Sequence, residues 1–285
     1  MTTIRSRTAL PAPVVHPARG ALPVLLSVSH AGRDYPDWLL AMASGGRTAL
    51  CTLEDPLVDR LIWRAVRHGT GAVIARAPRA AVDCNRDERD IDPSVVLGSG
   101  RLPLSARARG GLGIVPGRTQ THGFLWKRAI GSRQLEERLE QAHRPFHRAI
   151  ERELDALAAR FGCALLLDCH SMPPPAPGVP PIVIGDCHGH SAAPWVSAEA
   201  LRIALGAGYS AGLNDPFAGG HIAQRHGAPA RGVHALQLEI DRRCYLDNSL
   251  KAPGAGFDGI ASLIEALATG LGELLIGRQL ATAAE

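Results

Sequence analysis

The sequence predicts an α/β fold whose central sheet is largely parallel or mixed. Short apolar runs rich in β-forming residues recur along the chain, and stretches with helix-spaced apolar residues separate them. Continuous apolar runs are typical of strands that are buried on both faces of a sheet. At 285 residues the chain is long enough to form one large domain.

The predicted strands are short runs that end at polar residues or turn residues. The clearest is Val24–Val28 (VLLSV), which ends at a Ser-His-Ala-Gly turn. In chain order, the predicted strands are Val24–Val28, 71–75, 80–82, 164–167, 182–184 and 234–240.

The predicted helices follow apolar residues at steps of three, four or seven. Residues 55–67 begin with Pro56, which suits a first helical turn. Residues 135–161 form a longer helix that we expect to be broken or kinked near Pro145, because proline lacks the backbone donor that a helix interior needs. Shorter patterns predict helices at 198–205 and 259–275.

Three segments lack this periodicity. Residues 1–20 contain several prolines and are predicted to be a loose N-terminal arm, which leaves 21–285 as one domain. Residues 93–131 are rich in Gly and Pro and are predicted to be a long loop or lid; loops of this length are usually functional. Residues 173–181 contain six prolines and predict an extended loop.

Composition excludes several classes of protein. Hydrophobic residues make up 46% and charged residues 20%, which excludes a disordered chain and a coiled coil. The net charge of +4 is too small to predict a nucleic-acid surface. Near the N-terminus the longest apolar run is too short for a membrane span, and residues 1–20 lack the apolar core of a signal peptide. The six cysteines form no C-x-x-C pair, so we expect a reduced, cytoplasmic protein.

Polar clusters occur where strands are predicted to end. They contain His30, Asp83 to Arg86, His170 and Glu239. Ligands of open α/β sheets collect at the carboxyl ends of strands, so these residues are the first candidates for function. Two histidines and a carboxylate form the ligand set of a catalytic zinc ion, which acidifies a bound water, and a further glutamate would serve as general base.

At these motifs the sequence resembles the N-formylglutamate amidohydrolases, which are similar to zinc carboxypeptidases and aspartoacylase. The resemblance covers most of residues 22–250. It rests on SHAGRDYP (29–36), EDPLVDRL (54–61), VDCNR (82–86), GLGIVP (111–116), LDCHSMP (167–173), DPFAGGHIAQRHG (215–227) and HALQLEID (234–241). It implies a single-domain, three-layer α/β/α fold with a mixed central sheet, like that of the zinc carboxypeptidases.

The resemblance implies one divalent ion, zinc, with His30 and His170 as its histidine ligands. In zinc carboxypeptidases the first ligand belongs to an H-x-x-E pair, but the third residue after His30 is Arg33, which cannot bind a metal. Asp55 is therefore our choice of third ligand, with Glu54 and Asp34 as alternatives. An equally good interpretation of Asp55 is that it caps a helix before Pro56.

The resemblance also implies the remaining site residues. Glu239 takes the place of the catalytic glutamate and Arg79 that of the arginine that polarises the scissile carbonyl. Asn85 and Arg86 match the pair that holds a substrate carboxylate. The alternative for both arginines is a surface ion pair with a neighbouring acid. Gly219, Gly220 and His221 are predicted to form a wall of the substrate pocket.

The implied activity is zinc-dependent hydrolysis of an N-acyl amino acid, most simply N-formyl-L-glutamate to formate and L-glutamate, in histidine degradation. The alternatives are a deacylase or carboxypeptidase with another substrate and a non-catalytic relative that binds a ligand. We expect a small-molecule substrate, no nucleic-acid or membrane partner, and a monomer or small homo-oligomer.

Other reactive residues receive plainer interpretations. His143 and His147 have the spacing of a zincin pair, but Arg144 and Pro145 stand where that motif needs a glutamate, so both are predicted to lie on a helix surface. Cys84 and Cys169 are predicted to be buried small apolar residues rather than nucleophiles.

Overall fold

The computed structural model describes residues 9–98 and 105–283, which divide into two compact units. The first unit comprises the described residues of Met1–Val14, Ser29–Glu54 and Ile74–Arg148. The second comprises those of Val15–Val28, Asp55–Val73 and Ala149–Glu285. The predicted boundary between an arm at 1–20 and one catalytic domain at 21–285 stays a prediction.

The second unit is built on a mixed sheet. In chain order the strands of the described residues are β1 (Val14–His16), β2 (Val24–Val28), β3 (Gly71–Ile74), β4 (Val96–Leu97), β5 (Arg118–Thr119), β6 (Gly123–Phe124), β7 (Ile130–Gly131), β8 (Ala164–Met172), β9 (Ile182–Gly185), β10 (Ala211–Leu213) and β11 (Val233–Asp241). The seven-stranded sheet has the order β1-β3-β2-β8-β11-β9-β10. β8 pairs in parallel with β2 and β11, whereas β11 pairs with β9 in the antiparallel sense. The predicted α/β class with a mixed central sheet is confirmed.

Helices cover the apolar strands. The described helices are α1 (Asp37–Met42), α2 (Gly46–Leu50), α3 (Val58–Leu61), α4 (Trp63–Arg67), α5 (Ala106–Arg109), α6 (Ser132–Arg138), α7 (Arg144–Phe161), α8 (Pro194–Gly206), α9 (His221–His226) and α10 (Phe257–Ala283), with short 3₁₀ turns at Cys51–Leu53, Pro229–Arg231 and Arg242–Cys244. β2 and β8 are buried along their whole length, as their unbroken apolar sequences require.

The helix α10 is the one helix of the described chain that is long and apolar enough to cross a membrane. Half of its apolar window is buried inside the protein. It packs against α8, α4, α3 and β8. This packing is typical of the core helix of a globular unit.

The first unit has a separate apolar core. It contains the paired strands β4 with β7 and β5 with β6, together with α1, α2, α5 and α6. Side chains such as Leu39, Leu50, Ile114 and Leu125 are completely buried in this core. The predicted loop at 93–131 therefore contains short regular elements among its described residues, and residues 99–104 lie outside the described part of the chain.

Several predicted elements differ from the structure. Residues 14–16 form β1, so a loose arm is wrong there, and residues 1–8 lie outside the described chain. Residues 80–82 are buried but form turns instead of a strand. The helix predicted at 55–67 begins only at Val58, because Leu57 adopts a left-handed conformation (φ 62°), and Ile62 divides it into α3 and α4.

The expected break near Pro145 is confirmed and has an identifiable form. A π-helical turn, Leu139–His143, separates α6 from α7, and Pro145 is the second residue of α7. Proline cannot donate the hydrogen bond of an ordinary helix interior, so the widened turn precedes it.

Asp186 holds together the segments that follow β9 and β10. Its carboxylate accepts hydrogen bonds from Ser197 Oγ (2.5 Å), Asn214 Nδ2 (2.8 Å) and the Gly189 amide (2.9 Å). Although burial raises the pKa of this carboxyl group, these donors outweigh it and the pKa lies below the usual value.

We expect Asp186→Asn to lower the free energy of unfolding at pH 7 by about 1–3 kcal/mol, because one buried donor loses its charged acceptor. The folded-state pKa is below the unfolded value of about 3.9, so this contribution is complete above that pH and disappears as the pH falls through the folded-state pKa. Urea denaturation at several pH values measures the difference between wild type and variant. The exposed Asp258→Asn is the control; a difference that stays constant into acid would contradict the prediction.

Candidate active site

The candidate site of the second unit lies on two neighbouring parallel strands. Asp168 and His170 belong to β8, and Glu239 belongs to β11. The pairing register places Glu239 directly opposite His170 and Gln237 opposite Asp168. Alternate residues of a strand point to the same face, so these four side chains share one face of the sheet.

Both ring nitrogens of His170 face carboxylates. Nε2 lies 2.7 Å from Asp168 Oδ2, and Nδ1 lies 3.0 Å from Asp55 Oδ2. Ser27 Oγ, on the neighbouring strand β2, donates to the other oxygen of Asp168 at 2.6 Å. The Asp168 side chain therefore holds the orientation of the ring. Nδ1 and Asp55 Oδ2 are separated by a distance typical of two ligands of one ion, since zinc bonds are about 2.0–2.2 Å long.

The charge around His170 is strongly negative. Although burial lowers the pKa of the imidazole, the carboxylates of Asp168, Asp55 and Glu239 raise it well above its usual range. The Arg242 side chain supplies positive charge, with Nη2 3.2 Å from Asp55 Oδ1 and Nε 3.3 Å from Ser171 Oγ. A buried imidazole among three carboxylates is an environment that favours a divalent cation.

Glu239 is buried but retains 8% of its exposure. Gln237 Nε2 donates to its Oε1 at 2.9 Å, from the next residue on the same face of β11. This bond orients the carboxylate from within its own strand. The sequence also allows Glu239 to be a strand-end carboxylate paired with Arg242 or Arg243, but Arg243 pairs with Asp241 at 2.6 Å.

In the first unit, the buried carboxylate of Asp83 joins several predicted site residues. His30 Nε2 lies 2.7 Å from Asp83 Oδ1, which also accepts the Asn85 amide at 2.8 Å, and Arg79 Nε donates to Oδ2 at 2.9 Å. Burial alone raises the pKa of this carboxyl group, but Arg79, His30 and Arg86 hold it well below its usual range. Arg79 therefore forms an ion pair with the buried Asp83 instead of the surface ion pair given as the alternative.

Arg86 is fixed by backbone carbonyls. Nε donates to Leu112 O at 2.8 Å and Nη1 to Asn85 O at 2.6 Å. Among residues 9–98 and 105–283, none accepts a hydrogen bond from Nη2. Burial lowers the pKa of Arg86 to about 10, so the group remains charged at neutral pH. A rigid guanidinium with a remaining donor is suited to an anionic ligand.

The two alternative third ligands have other strong partners. Tyr35 Oη donates to Glu54 Oε1 at 2.5 Å, and burial together with this carboxylate raises the pKa of Tyr35. Asp34 pairs with Arg76 at 2.7 Å. Asp55, in contrast, faces the ring of His170 through its own side chain, and the helix-capping interpretation is wrong because Leu57 is the N-cap of α3.

The glycine-rich loop that contains Gly219 and Gly220 lies against β9. Gly219 has a φ of 123°, and a Cβ there would lie 2.6 Å from Cys187 Sγ. A Cβ at Gly185 would lie 2.6 Å from the Gly219 nitrogen. Gly185 pairs with Gln237, so Gly219 lies close to the residue that orients Glu239. Gly220 and His221 then begin α9. Their predicted role in a substrate pocket stays a prediction.

Comparison with known proteins identifies the family. The sequence profile of the N-formylglutamate amidohydrolases matches residues 22–246. The chain belongs to this family. It is 34% identical over 242 residues to an N-formylglutamate deformylase of Pseudomonas putida, with 81% of this chain and 84% of the relative aligned.

Two further comparisons agree with this assignment. An N-formylglutamate deformylase of Pseudomonas aeruginosa is 33% identical over 266 residues, covering 90% of this chain and 92% of the relative. The crystal structure of an N-formylglutamate amidohydrolase from Ralstonia eutropha JMP134 superposes with a TM-score of 0.84 at 26% identity, covering 92% of this chain and 98% of that one. The chain is therefore an enzyme, an amide hydrolase of the N-formylglutamate amidohydrolase family.

The structure groups the predicted residues of this family member within each unit. In the second unit it brings together Asp55, His170 and Glu239. In the first unit it gathers His30, Arg79, Asn85 and Arg86 around Asp83. The buried His170 and Asp55 could hold a metal ion between them.

Sequence reasoning missed the side chains that orient these residues. Asp168, Gln237 and Asp83 were not assigned a role, although Asp168 and Gln237 stand two residues before His170 and Glu239. The spacing of two residues was the available signal, because residues i and i+2 of a strand point to the same face of the sheet. A metal-binding histidine usually gives its second ring nitrogen to a carboxylate, and Asp168 and Asp83 supply such partners.

The plainer interpretations have mixed outcomes. The prediction that Cys84 and Cys169 are buried is confirmed, and burial raises the pKa of Cys169, which disfavours a nucleophilic thiolate. The prediction that His143 and His147 lie on a helix surface is wrong. Both are completely buried, and each ring donates to a backbone carbonyl of the first unit.

Proposed function

We propose that the chain hydrolyses the formyl amide of N-formyl-L-glutamate to formate and L-glutamate. The observation that carries this proposal is the pairing of Glu239 with His170 on adjacent strands, with Asp55 facing the same imidazole. This arrangement supplies a general base beside a set of metal-binding groups. The names of the two Pseudomonas relatives support the choice of substrate.

We further propose that one zinc ion is bound by His30, Asp55 and His170. His30 and His170 each have Nε2 2.7 Å from a buried aspartate, so Nδ1 is the candidate ligand atom of both rings. Asp55 Oδ2 lies 3.0 Å from His170 Nδ1, and His30 follows the end of β2 by two residues. Neutral imidazole and carboxylate are the ligands that zinc prefers in catalytic sites. When bound, zinc lowers the pKa of water and polarises a carbonyl oxygen.

The side chains of the protein then have defined tasks. Glu239 accepts a proton from the attacking water as the water oxygen bonds to the formyl carbon. Arg79, whose guanidinium is held by Asp83 at 2.9 Å, stabilises the negative charge that develops on the formyl oxygen. The amide C–N bond then breaks, Glu239 returns its proton to the leaving nitrogen, and formate and the free amino group of glutamate remain.

The substrate carboxylate is assigned to Asn85 and Arg86. Arg86 remains charged, and its Nε and Nη1 atoms are bonded to Leu112 O and Asn85 O. Because the guanidinium is already oriented, little side-chain entropy is lost when the substrate binds. Gly219, Gly220 and His221 would complete the pocket. A deacylase that prefers another acyl group would use the same carboxylate contact, and the substrate experiments below distinguish the two. The cytoplasmic location, the role in histidine degradation and the monomeric or small oligomeric state belong to the same proposal.

The purified protein should release formate from N-formyl-L-glutamate in step with its zinc content. Removal of metal by a chelator should abolish turnover, and one equivalent of zinc should restore it, because the general base alone cannot supply the acidified water. Formate release and bound metal are measured on the same samples. Full turnover in metal-free protein would contradict the zinc proposal. Faster turnover of an N-acetyl or N-succinyl substrate would assign the chain to the rival deacylases.

Glu239→Gln should lower kcat by roughly 10²- to 10⁴-fold, because it removes the proton acceptor. Zinc content should stay at the wild-type level, since Glu239 is not a proposed ligand. Steady-state kinetics and metal analysis test both expectations. Glu273→Gln, an exposed glutamate on α10, is the matched control and should leave kcat unchanged. Near-normal turnover in Glu239→Gln would remove Glu239 from the mechanism.

Arg86→Ala should raise KM for N-formyl-L-glutamate roughly 10- to 100-fold, the loss that a charge-assisted hydrogen bond predicts. KM for the corresponding α-amide should change little, because that analogue has no α-carboxylate. Arg89→Ala removes an arginine with an 82% exposed side chain from the same segment and serves as control. Equal increases of KM for acid and amide would contradict the carboxylate contact.

A further inference from the structure

Three side chains of one helical segment contact the backbone and side chains around Asn85 and Arg86. His147 Nε2 lies 3.0 Å from Cys84 O, and His143 Nε2 lies 2.9 Å from Arg86 O. Between these histidines, Arg144 pairs with Glu88 at 2.8 Å. The contacts therefore reach residues 84, 86 and 88 in succession. We name residues 84–88 the Asn85 segment.

Hydrogen-bond chemistry fixes the protonation of both rings. A backbone carbonyl can only accept, so each Nε2 must carry a proton and donate it. The two rings lie four residues apart in sequence and contact each other, with centroids 4.5 Å apart at 54°. Because both Nε2 atoms are used in this way, neither can act as a zincin-type metal ligand through that atom.

The bonds satisfy consecutive carbonyls at the point where the substrate contact is proposed. His147 satisfies the carbonyl before Asn85, Arg86 Nη1 satisfies that of Asn85 itself at 2.6 Å, and His143 satisfies that of Arg86. Buried carbonyls need such partners because they are removed from water. The Asn85 segment forms no strand with a neighbouring backbone, so side chains take the place of a ladder.

The π-helical turn and the start of α7 place the ring nitrogens of His143 and His147 beside these carbonyls. His143 ends the π-helical turn Leu139–His143, and His147 lies in the first turns of α7 after Pro145. Single π turns are frequent at functional sites because they change the angular position of the residues that follow. Apolar residues at positions 143 and 147 would fill the same space without the cost of burying imidazoles.

We propose that His143 and His147 are positioning residues for substrate binding. They hold the Asn85 segment so that Asn85 and Arg86 can bind the α-carboxylate of the substrate. The inference rests on the proposed function of those two residues. Neither histidine touches substrate in this arrangement. Their effect passes through the backbone and is specific to ligands that carry the carboxylate.

The test compares variants that remove the donor with variants that replace it. His143→Leu and His147→Leu should each raise KM for N-formyl-L-glutamate roughly tenfold with kcat nearly unchanged, because small displacements of a binding group are costly. KM for the α-amide should change less than about twofold, because this analogue lacks the α-carboxylate that Asn85 and Arg86 are proposed to bind. His143→Gln and His147→Gln should restore most of the loss, since the glutamine amide can donate to the same carbonyl.

A double-variant cycle tests whether the effect passes through Arg86. Adding His147→Leu to Arg86→Ala should raise KM for the acid less than about twofold further, because coupled residues are not additive. His234→Leu is the matched control: His234 is also buried, but it contacts the Ala193 amide and Trp195. That control should reduce the melting temperature without changing the ratio of the KM values for acid and amide.

The outcomes separate this inference from the proposed function. Should Arg86→Ala raise KM for the acid selectively while the histidine variants leave the acid-to-amide ratio unchanged, the positioning role is wrong and the proposed function stands. Should Arg86→Ala change KM for acid and amide equally, the proposed carboxylate contact and the positioning role both fail. If a leucine variant does not fold, its glutamine counterpart decides: a KM for the acid within about twofold of wild type supports the donor role, and a roughly tenfold rise in KM for acid and amide alike overturns it.

Discussion

The candidate active site depends on the register in which β11 pairs with β8. This single alignment sets Glu239 opposite His170 and Gln237 opposite Asp168. Because strand side chains alternate with a period of two, a slip of one residue would present Leu238 or Ile240 in place of the carboxylate. β11 is also bonded on its other side to β9, so its register is determined by two ladders of opposite sense. Backbone hydrogen bonds therefore determine which side chains lie beside His170.

Buried charge is the second constraint. Asp55, Asp83, Asp168 and Glu239 are all removed from most of the solvent, and isolated carboxylates would be very costly there. Each has a specific donor or cation: Arg242 at Asp55, Arg79 at Asp83, Ser27 at Asp168 and Gln237 at Glu239. Among the described residues, an aspartate beside Nε2 of a histidine occurs once in each unit. In the second unit, a metal cation beside His170 and Asp55 would offset the negative charge that surrounds this imidazole.

Much of the sheet could be predicted from the sequence, and much of its surroundings could not. The limits of β2 match the prediction, and β9 and β11 differ from it by at most one residue at either end, because unbroken apolar runs bounded by turns are strong signals. β8 continues through Asp168–Met172, beyond the predicted strand end at residue 167, because hydrogen bonds and charge partners in the fold stabilise polar residues in a buried strand. Short elements such as β1 and β10 carry too few residues for a periodic signal.

The site shows the same division. Histidines and acids in recognisable motifs could be selected from the sequence, and the structure groups them. The burial of His143 and His147 could not be predicted, since it depends on distant carbonyls at Cys84 and Arg86 that no local pattern reveals. The start of the helix at Val58 could not be predicted for a related reason: a left-handed leucine at position 57 is disfavoured locally, so no local pattern indicates it.

The proline-rich stretch after β8 has an implication for changes in chain length. Residues 173–181 are largely exposed and connect β8 to β9, whereas the strands on either side are buried. Insertions or a change of loop could therefore be accommodated there without shifting the ladder that carries Glu239. This connection is a suitable position at which to graft a fluorescent reporter while β8 and β11 keep their register.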